Sequence, residues 1–265
     1  MSWWQAIVLG IVEGVTEYLP VSSTGHLLVA QRLLGIESGE AANTYAICIQ
    51  AGAILAVLGL YSARIRQIGS GVIGRDAEGR GLAINPVVAF LPAAVIGFVL
   101  DDWIESVLFG VWPIIFAWLV GGIGILWLVR RPTVSRIQIG TLSSSSAAVI
   151  GLAQCLAMWP GTSRSLVTIV AGLLVGLPLA ASVEFAFLLG LLTLGAATTF
   201  KALTHGDTLL ATYGISTVAI GFFAAWVSAA VAVRWMIGWL NRNGLSVFGY
   251  WRIGVAVAAM ALLWS

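Results

Sequence analysis

Six stretches of this chain, residues 43–61, 84–100, 112–130, 181–200, 213–233 and 247–264, are almost free of charged side chains. Each is about 17 to 22 residues long, the length a helix needs to cross a hydrocarbon core of ~30 Å. A backbone in lipid must satisfy its own hydrogen bonds, so such runs commit the chain to helix. Composition agrees: of 265 residues, 60% are hydrophobic and 9% charged, where a soluble domain carries roughly 25% charged residues to cover its surface. The expected fold is an all-α, polytopic membrane protein, a single membrane domain over residues 1–265 with no soluble appendage. The N-terminus does not read as a signal peptide, because a basic n-region is missing and Glu13 and Glu17 interrupt the first apolar stretch. Cys48 and Cys155 lie in apolar helical sequence and read as small buried hydrophobes rather than a disulfide or metal pair.

Two further apolar regions are broken near their middle, at Pro20-Val21-Ser22-Ser23-Thr24-Gly25 and at Pro160-Gly161-Thr162-Ser163-Arg164-Ser165. Proline and glycine interrupt a helix, and hydroxyl side chains cap its restart. Non-helical backbone at membrane depth is tolerated only where it is buried in protein or lines a wet cavity. Both regions therefore read as re-entrant helix–loop–helix pairs that meet inside the membrane. They also resemble each other, Gly10-Ile11-Val12-Glu13 preceding one proline as Gly151-Leu152-Ala153-Gln154 precedes the other. Such internal symmetry is the mark of a repeat around a central site, with repeats of approximately 1–130 and 131–265.

Charge sets the orientation. Arginines crowd 62–83 (Arg64, Arg66, Arg75, Arg80), 130–142 (Arg130, Arg131, Arg136) and 234–246 (Arg234, Arg242), which the positive-inside rule places in the cytoplasm. The intervening connections hold Asp101, Asp102 and Glu105, or Lys201 and Asp207. Tracing back, the two re-entrant pairs enter from opposite sides, as an inverted repeat requires.

Only Glu13, Glu17 and Glu184 among the acidic residues lie in strongly apolar sequence, and an ionisable group at membrane depth is a functional candidate. Glu13 and Glu17, spaced i,i+4, project from one helical face. Two such carboxylates repel in a low dielectric and call for a cation, either an arginine or a divalent metal, with oxygen ligands favouring Mg²⁺ or Ca²⁺. Next along the chain come Ser22, Ser23, Thr24 and His26. Imidazole serves as nucleophile or general acid–base near neutral pH, and Ser23 is a nucleophile if a neighbouring base takes its proton. The second break opens a helix with Ser163, Arg164, Ser165 and Thr168, and a helix N-terminus with hydroxyls and a guanidinium is a phosphate site. The combination spells phosphoryl transfer. Glu184 reads equally as a third acidic member of the site or as a helix–helix partner, and Gln50 is similarly placed in its repeat. His205, beside Gly206 and Asp207, reads as a solvated loop residue.

At Glu13-Gly14-Val15-Thr16-Glu17-Tyr18-Leu19-Pro20-Val21-Ser22-Ser23-Thr24-Gly25-His26 and at Gln154-Cys155-Leu156-Ala157-Met158-Trp159-Pro160-Gly161-Thr162-Ser163-Arg164-Ser165 the chain resembles the bacterial undecaprenyl-diphosphate phosphatase family of the bacitracin-resistance type. The likeness runs nearly end to end, through Gln50-Ala51-Gly52-Ala53, Glu184-Phe185-Ala186-Phe187 and Tyr250-Trp251-Arg252. It implies hydrolysis of undecaprenyl diphosphate to the monophosphate, which recycles the lipid carrier of cell-wall synthesis. It further implies a divalent cation on Glu13 and Glu17, phosphate held by Arg164, Ser163, Ser165 and Thr168, and His26 or Ser23 as nucleophile or base. The site would open to the periplasmic face of the bacterial inner membrane. The chain departs from the family pattern at Leu166 and Val167, where Gly-Ala is usual, and at Gly190-Leu191-Leu192, where a proline is common. Losing the glycine beside the phosphate turn predicts a narrower site. The implied partners are a polyprenyl diphosphate lipid and the bilayer, with no nucleic acid. Small residues in the spans permit a homodimer without designating its interface.

The competing class is a lipid or ion transporter, since broken helices at an inverted-repeat interface are also transporter architecture. What separates the two is the histidine and hydroxyls set against a carboxylate pair, reactive groups that transport does not need.

Overall fold

The computed structural model describes residues 1–37, 39–108, 110–131 and 137–264. Arg136, and the side chains of Asp101, Asp102 and Glu105, lie outside the described residues. The architecture is all-helical: α1 (Trp3–Thr16), α2 (Ser23–Leu33), α3 (Glu40–Leu60), α4 (Ser62–Val72), α5 (Ala77–Leu108), α6 (Val111–Leu128), α7 (Ser144–Gln154), α8 (Arg164–Leu174), α9 (Leu179–Asn243) and α10 (Ser246–Trp264). Among the described residues four helical stretches are long and apolar enough to cross a membrane, Glu40–Leu60, Ala77–Leu100, Val111–Leu128 and Leu179–Asn243. Phe98, Leu174, Phe223 and Val231 are exposed, the outward apolar surface that a lipid solvent requires.

Three expected connections are helical instead. Residues 62–83 fold into α4 and the first turns of α5, packed against each other. The two expected spans 181–200 and 213–233 belong to one long element, α9, whose only non-helical residue is Gly214, at φ 75°. Lys201, His205 and Asp207 are therefore helical residues and not loop residues. Thr204 and Thr212 return their hydroxyls to the carbonyls of Phe200 and Thr208, so local polar side chains do not break the helix. His205 is paired rather than free, with Nε2 3.4 Å from Glu40 of α3. The third expected loop, 234–246, is mostly the last turns of α9.

α9 is the central element and packs along both α1 and α3. The approach to α1 depends on small residues. A Cβ at Gly14 would lie 2.2 Å from the Ala225 carbonyl oxygen and 2.2 Å from Ser228 Oγ, the small-residue packing by which apolar helices associate without a hydrophobic driving force.

The two breaks come together, and side chains brace the backbone where it leaves the helix. The first lies between α1 and α2; the second runs from α7 through one 3₁₀ turn, Cys155–Met158, to α8. Among the described residues Ser22 and Ser163 are the only non-glycine residues at positive φ, 74° and 75°, each immediately preceding its restarted helix. Four successive carbonyls of the first break each receive a side-chain donor, three of them from distant elements: Leu19 from Ser165 Oγ (2.9 Å), Pro20 from Arg252 Nη1 (3.4 Å), Val21 from Trp118 Nε1 (3.0 Å) and Ser22 from the nearby His26 Nδ1 (2.7 Å). Arg252, fully buried on α10, also donates through Nη2 to Gly161 of the second break and to Ala117 of α6, both at 2.8 Å. One guanidinium thus joins both breaks. Replacing it with an aliphatic chain would take this donor from the carbonyls of Pro20 and Gly161, both outside any helix, at about 1–3 kcal/mol each. We expect Arg252→Leu to lower the unfolding temperature in detergent by well over 5 °C; a variant as stable as the parent would contradict the bracing role.

Candidate active site

The site forms where the breaks meet. Glu13 and Glu17 sit one turn apart on the buried face of α1, the Glu17 amide donating to the Glu13 carbonyl at 2.9 Å. Glu17 divides its carboxylate. One oxygen accepts a hydrogen bond from Ser23 Oγ, at the first residue of α2, and the other accepts from Arg164 Nη2 at 3.1 Å, at the first residue of α8. Arg164 is oriented by a second bond, from Nη1 to the Ala186 carbonyl of α9 (2.9 Å), and its guanidinium lies over the Tyr18 ring. A Cβ at Gly190 would stand 2.3 Å from Arg164 Nη1, so the glycine noted above as a departure makes room for the arginine.

Two adjoining cavities surround this ion pair and share Glu17, Ser23, Thr24 and Gln50. The one of about 170 Å³ is lined further by Ser22, Pro160, Gly161, Ser163 and Arg164. The N-termini of α2 and α8 both open onto it. Their first N–H groups have no intrahelical acceptors, so two positive helix ends and a guanidinium face one small space, an arrangement that favours an anion. The other cavity, of about 190 Å³, adds Glu13, Leu27, Leu28, Gln31, Ala46, Ile47 and Lys201.

Most of the expected site residues converge there: Glu13, Glu17, Ser22, Ser23, Thr24, Gln50, Ser163 and Arg164 all line the cleft. The others are engaged elsewhere. Ser165 and Thr168 are wholly buried; Ser165 holds Leu19, and Thr168 returns its hydroxyl to the Arg164 carbonyl at 2.8 Å. His26 lines neither cavity. Its Nδ1 meets the Ser22 carbonyl and its Nε2 accepts from Trp251 Nε1 at 3.0 Å, which corresponds to a neutral ring with the proton on Nδ1. Glu184 faces away and pairs with Arg64 Nε at 2.5 Å, a helix–helix link between α9 and α4. Leu166 is buried in the same apolar core cluster as Tyr18 and Ile169, and neither it nor Val167 lines either cavity, so the expected narrowing at this turn does not arise from them. Sequence reading overlooked Arg252, whose signal was a lone arginine within an apolar span, and Lys201, assigned to a connection.

The donors fit a hard divalent cation. Glu13, Glu17 and Gln50, all oxygen-bearing side chains, line the same cavity, and among the described residues no group of three His, Cys, Asp or Glu side chains forms a closed protein cage. A cation held by two carboxylates and completed by phosphate oxygens is the usual Mg²⁺ pattern.

The family model described as bacitracin resistance protein BacA matches residues 6–258. Among similar curated proteins, one from Chromobacterium violaceum named undecaprenyl-diphosphatase 1 is 40% identical over 99% of this chain and 97% of its own length. One from Sorangium cellulosum named undecaprenyl-diphosphatase is 43% identical over 99% of this chain and 87% of its own, and one of the same name from Nitrobacter winogradskyi is 38% identical over 98% and 96%. With the match running over nearly its whole length, the chain belongs to the BacA bacitracin-resistance family.

Proposed function

We propose that this chain is a membrane enzyme that hydrolyses undecaprenyl diphosphate to undecaprenyl phosphate and inorganic phosphate. The observation that carries the reading is the division of one buried carboxylate between a hydroxyl and a guanidinium at the mouths of two helix N-termini. Arg164, with Ser163 and the N–H groups of α2 and α8, holds the terminal phosphate. Ser23 attacks its phosphorus while Glu17 takes the hydroxyl proton, and the anhydride P–O bond breaks with the bridging oxygen leaving on the lipid-linked phosphate. Glu17 passes that proton to the departing lipid-linked phosphate; it then takes a proton from water, which attacks the phosphorus and breaks its bond to Ser23, and returns the proton to the Ser23 oxygen as inorganic phosphate leaves. A divalent cation on Glu13 and Glu17, when bound, would draw charge from the phosphate oxygens. His26 acts at one remove, fixing the carbonyl of Ser22 next to the nucleophile.

The topology that suits this chemistry has six spans: α3, the first part of α5, α6, the two halves of α9, and α10. The pairs α1–α2 and α7–α8 enter the membrane from opposite faces, in an inverted repeat of roughly 1–130 and 131–265. The matching left-handed serines support the repeat. The arginine distribution supports an inner-membrane orientation with the site open to the periplasm.

Purified protein in detergent should release phosphate from undecaprenyl diphosphate, lose that activity in EDTA, and regain it with Mg²⁺ or Ca²⁺. Arg164→Ala should reduce the rate by about 10²–10³, the usual loss for one transition-state donor; undiminished release would remove the phosphate cradle from the account. His26→Ala should also be strongly impaired, whereas His26→Asn, which keeps a donor for the Ser22 carbonyl, should recover much of the loss. If the Asn variant is as inactive as the Ala variant, the ring itself takes part in the chemistry.

A further inference from the structure

Lys201 has no place in the mechanism above, yet it lines the cleft. It is half-buried on α9, on the wall of the cavity that also carries Glu13, Glu17 and Ser23. Among the described residues no carboxylate stands within ion-pairing distance of it, although Glu40, one acidic residue of the neighbouring α3, is paired with His205 a turn further along α9. A lysine facing a partly apolar cavity with no carboxylate in ion-pairing distance is costly unless an anion arrives beside it.

The two cations of the cleft occupy different ends. Arg164 lines only the cavity with Gly161 and Ser163, and Lys201 only the cavity with Leu27, Leu28, Ala46 and Ile47. Ser23 and Glu17 belong to both and lie between. A polyprenyl diphosphate has the same sequence of chemistry: a terminal phosphate, the anhydride to be cut, a second phosphate, then hydrocarbon. With the terminal phosphate at Arg164 and the anhydride at Ser23, the second phosphate and first isoprene units fall beside a cation with aliphatic neighbours.

We infer that Lys201 binds the lipid-linked phosphate, completing a cleft in which each phosphate has its own cation. This rests on the hydrolytic reading above and adds to it. As the anhydride bond breaks, charge develops on the lipid-linked phosphate, and an ammonium there stabilises the leaving group as well as the bound substrate. The same contact is kept by the product, so Lys201 also sets how tightly undecaprenyl phosphate is retained.

Equilibrium binding of undecaprenyl phosphate to the purified full chain tests this without turnover, because that ligand lacks the anhydride. Lys201→Met should weaken binding about tenfold, the loss of one charge-assisted contact, and Lys201→Arg should restore most of it. In the hydrolysis assay Lys201→Met should raise KM for undecaprenyl diphosphate and the inhibition constant of undecaprenyl phosphate together, while inhibition by inorganic phosphate, which needs only the Arg164 end, stays as in the parent. Unchanged binding of undecaprenyl phosphate by Lys201→Met, or no binding by the parent, would overturn the assignment. Wild-type protein that binds this lipid through Lys201 but releases no phosphate would instead leave the subsite standing and reject the hydrolytic reading.

Discussion

A chain that breaks its helices in a buried apolar interior has to find hydrogen-bond donors for the carbonyls it frees, and that requirement organises this structure. The carbonyls of Leu19, Pro20 and Val21 are each met by a side chain from another part of the sequence, Ser165 of α8, Arg252 of α10 and Trp118 of α6, and that of Ser22 by His26, one turn on in α2. An unsatisfied group in a low-dielectric interior costs several kcal/mol. The donors therefore fix where the turn can lie. Because Arg252 and Ser165 also belong to, or reach, the second break, satisfying the first turn brings the second beside it. The juxtaposition of Ser23 and Arg164 follows from backbone hydrogen bonding as much as from their own attraction.

That placement explains how so few polar groups make a reactive site. Glu17 is buried, but each oxygen has a donor, one a potential nucleophile and one a permanent cation. Removing either donor alters the partner left behind, so the three side chains act as a unit. The left-handed backbone of Ser22 and Ser163 belongs to the same economy of construction. It turns the chain sharply into α2 and into α8, and local strain of ~1–3 kcal/mol at such residues persists only where the surroundings impose it.

Much of this was legible in the sequence. The apolar runs, the proline breaks and the isolated Glu13 and Glu17 each carry a direct energetic meaning in lipid, and those features led to the residues that line the cleft. What escaped was tertiary. Thr168 and Ser165 look like phosphate ligands from their neighbours in sequence, but both hydroxyls are spent on carbonyls. His26 has the chemistry of a base, yet the turn and Trp251 claim its two nitrogens. Glu184 is placed by Arg64, a residue 120 positions earlier in the chain than its own (184 less 64). Lys201 looked like the start of a loop because Thr204, His205, Gly206 and Asp207 are poor helix formers, and packing of α9 against α3 overrides that propensity.

If the two breaks make one site, their side chains act on one phosphate. A double-mutant cycle on phosphate release tests it most directly, using Ser23→Ala from the first break and Arg164→Ala from the second. Groups that act together on the same transition state lose most of their effect once either is gone. With a single shared site, the double variant should be little slower than the worse of the two single variants. Losses that multiply in full would mean that the two breaks contribute independently, and would contradict a single shared site.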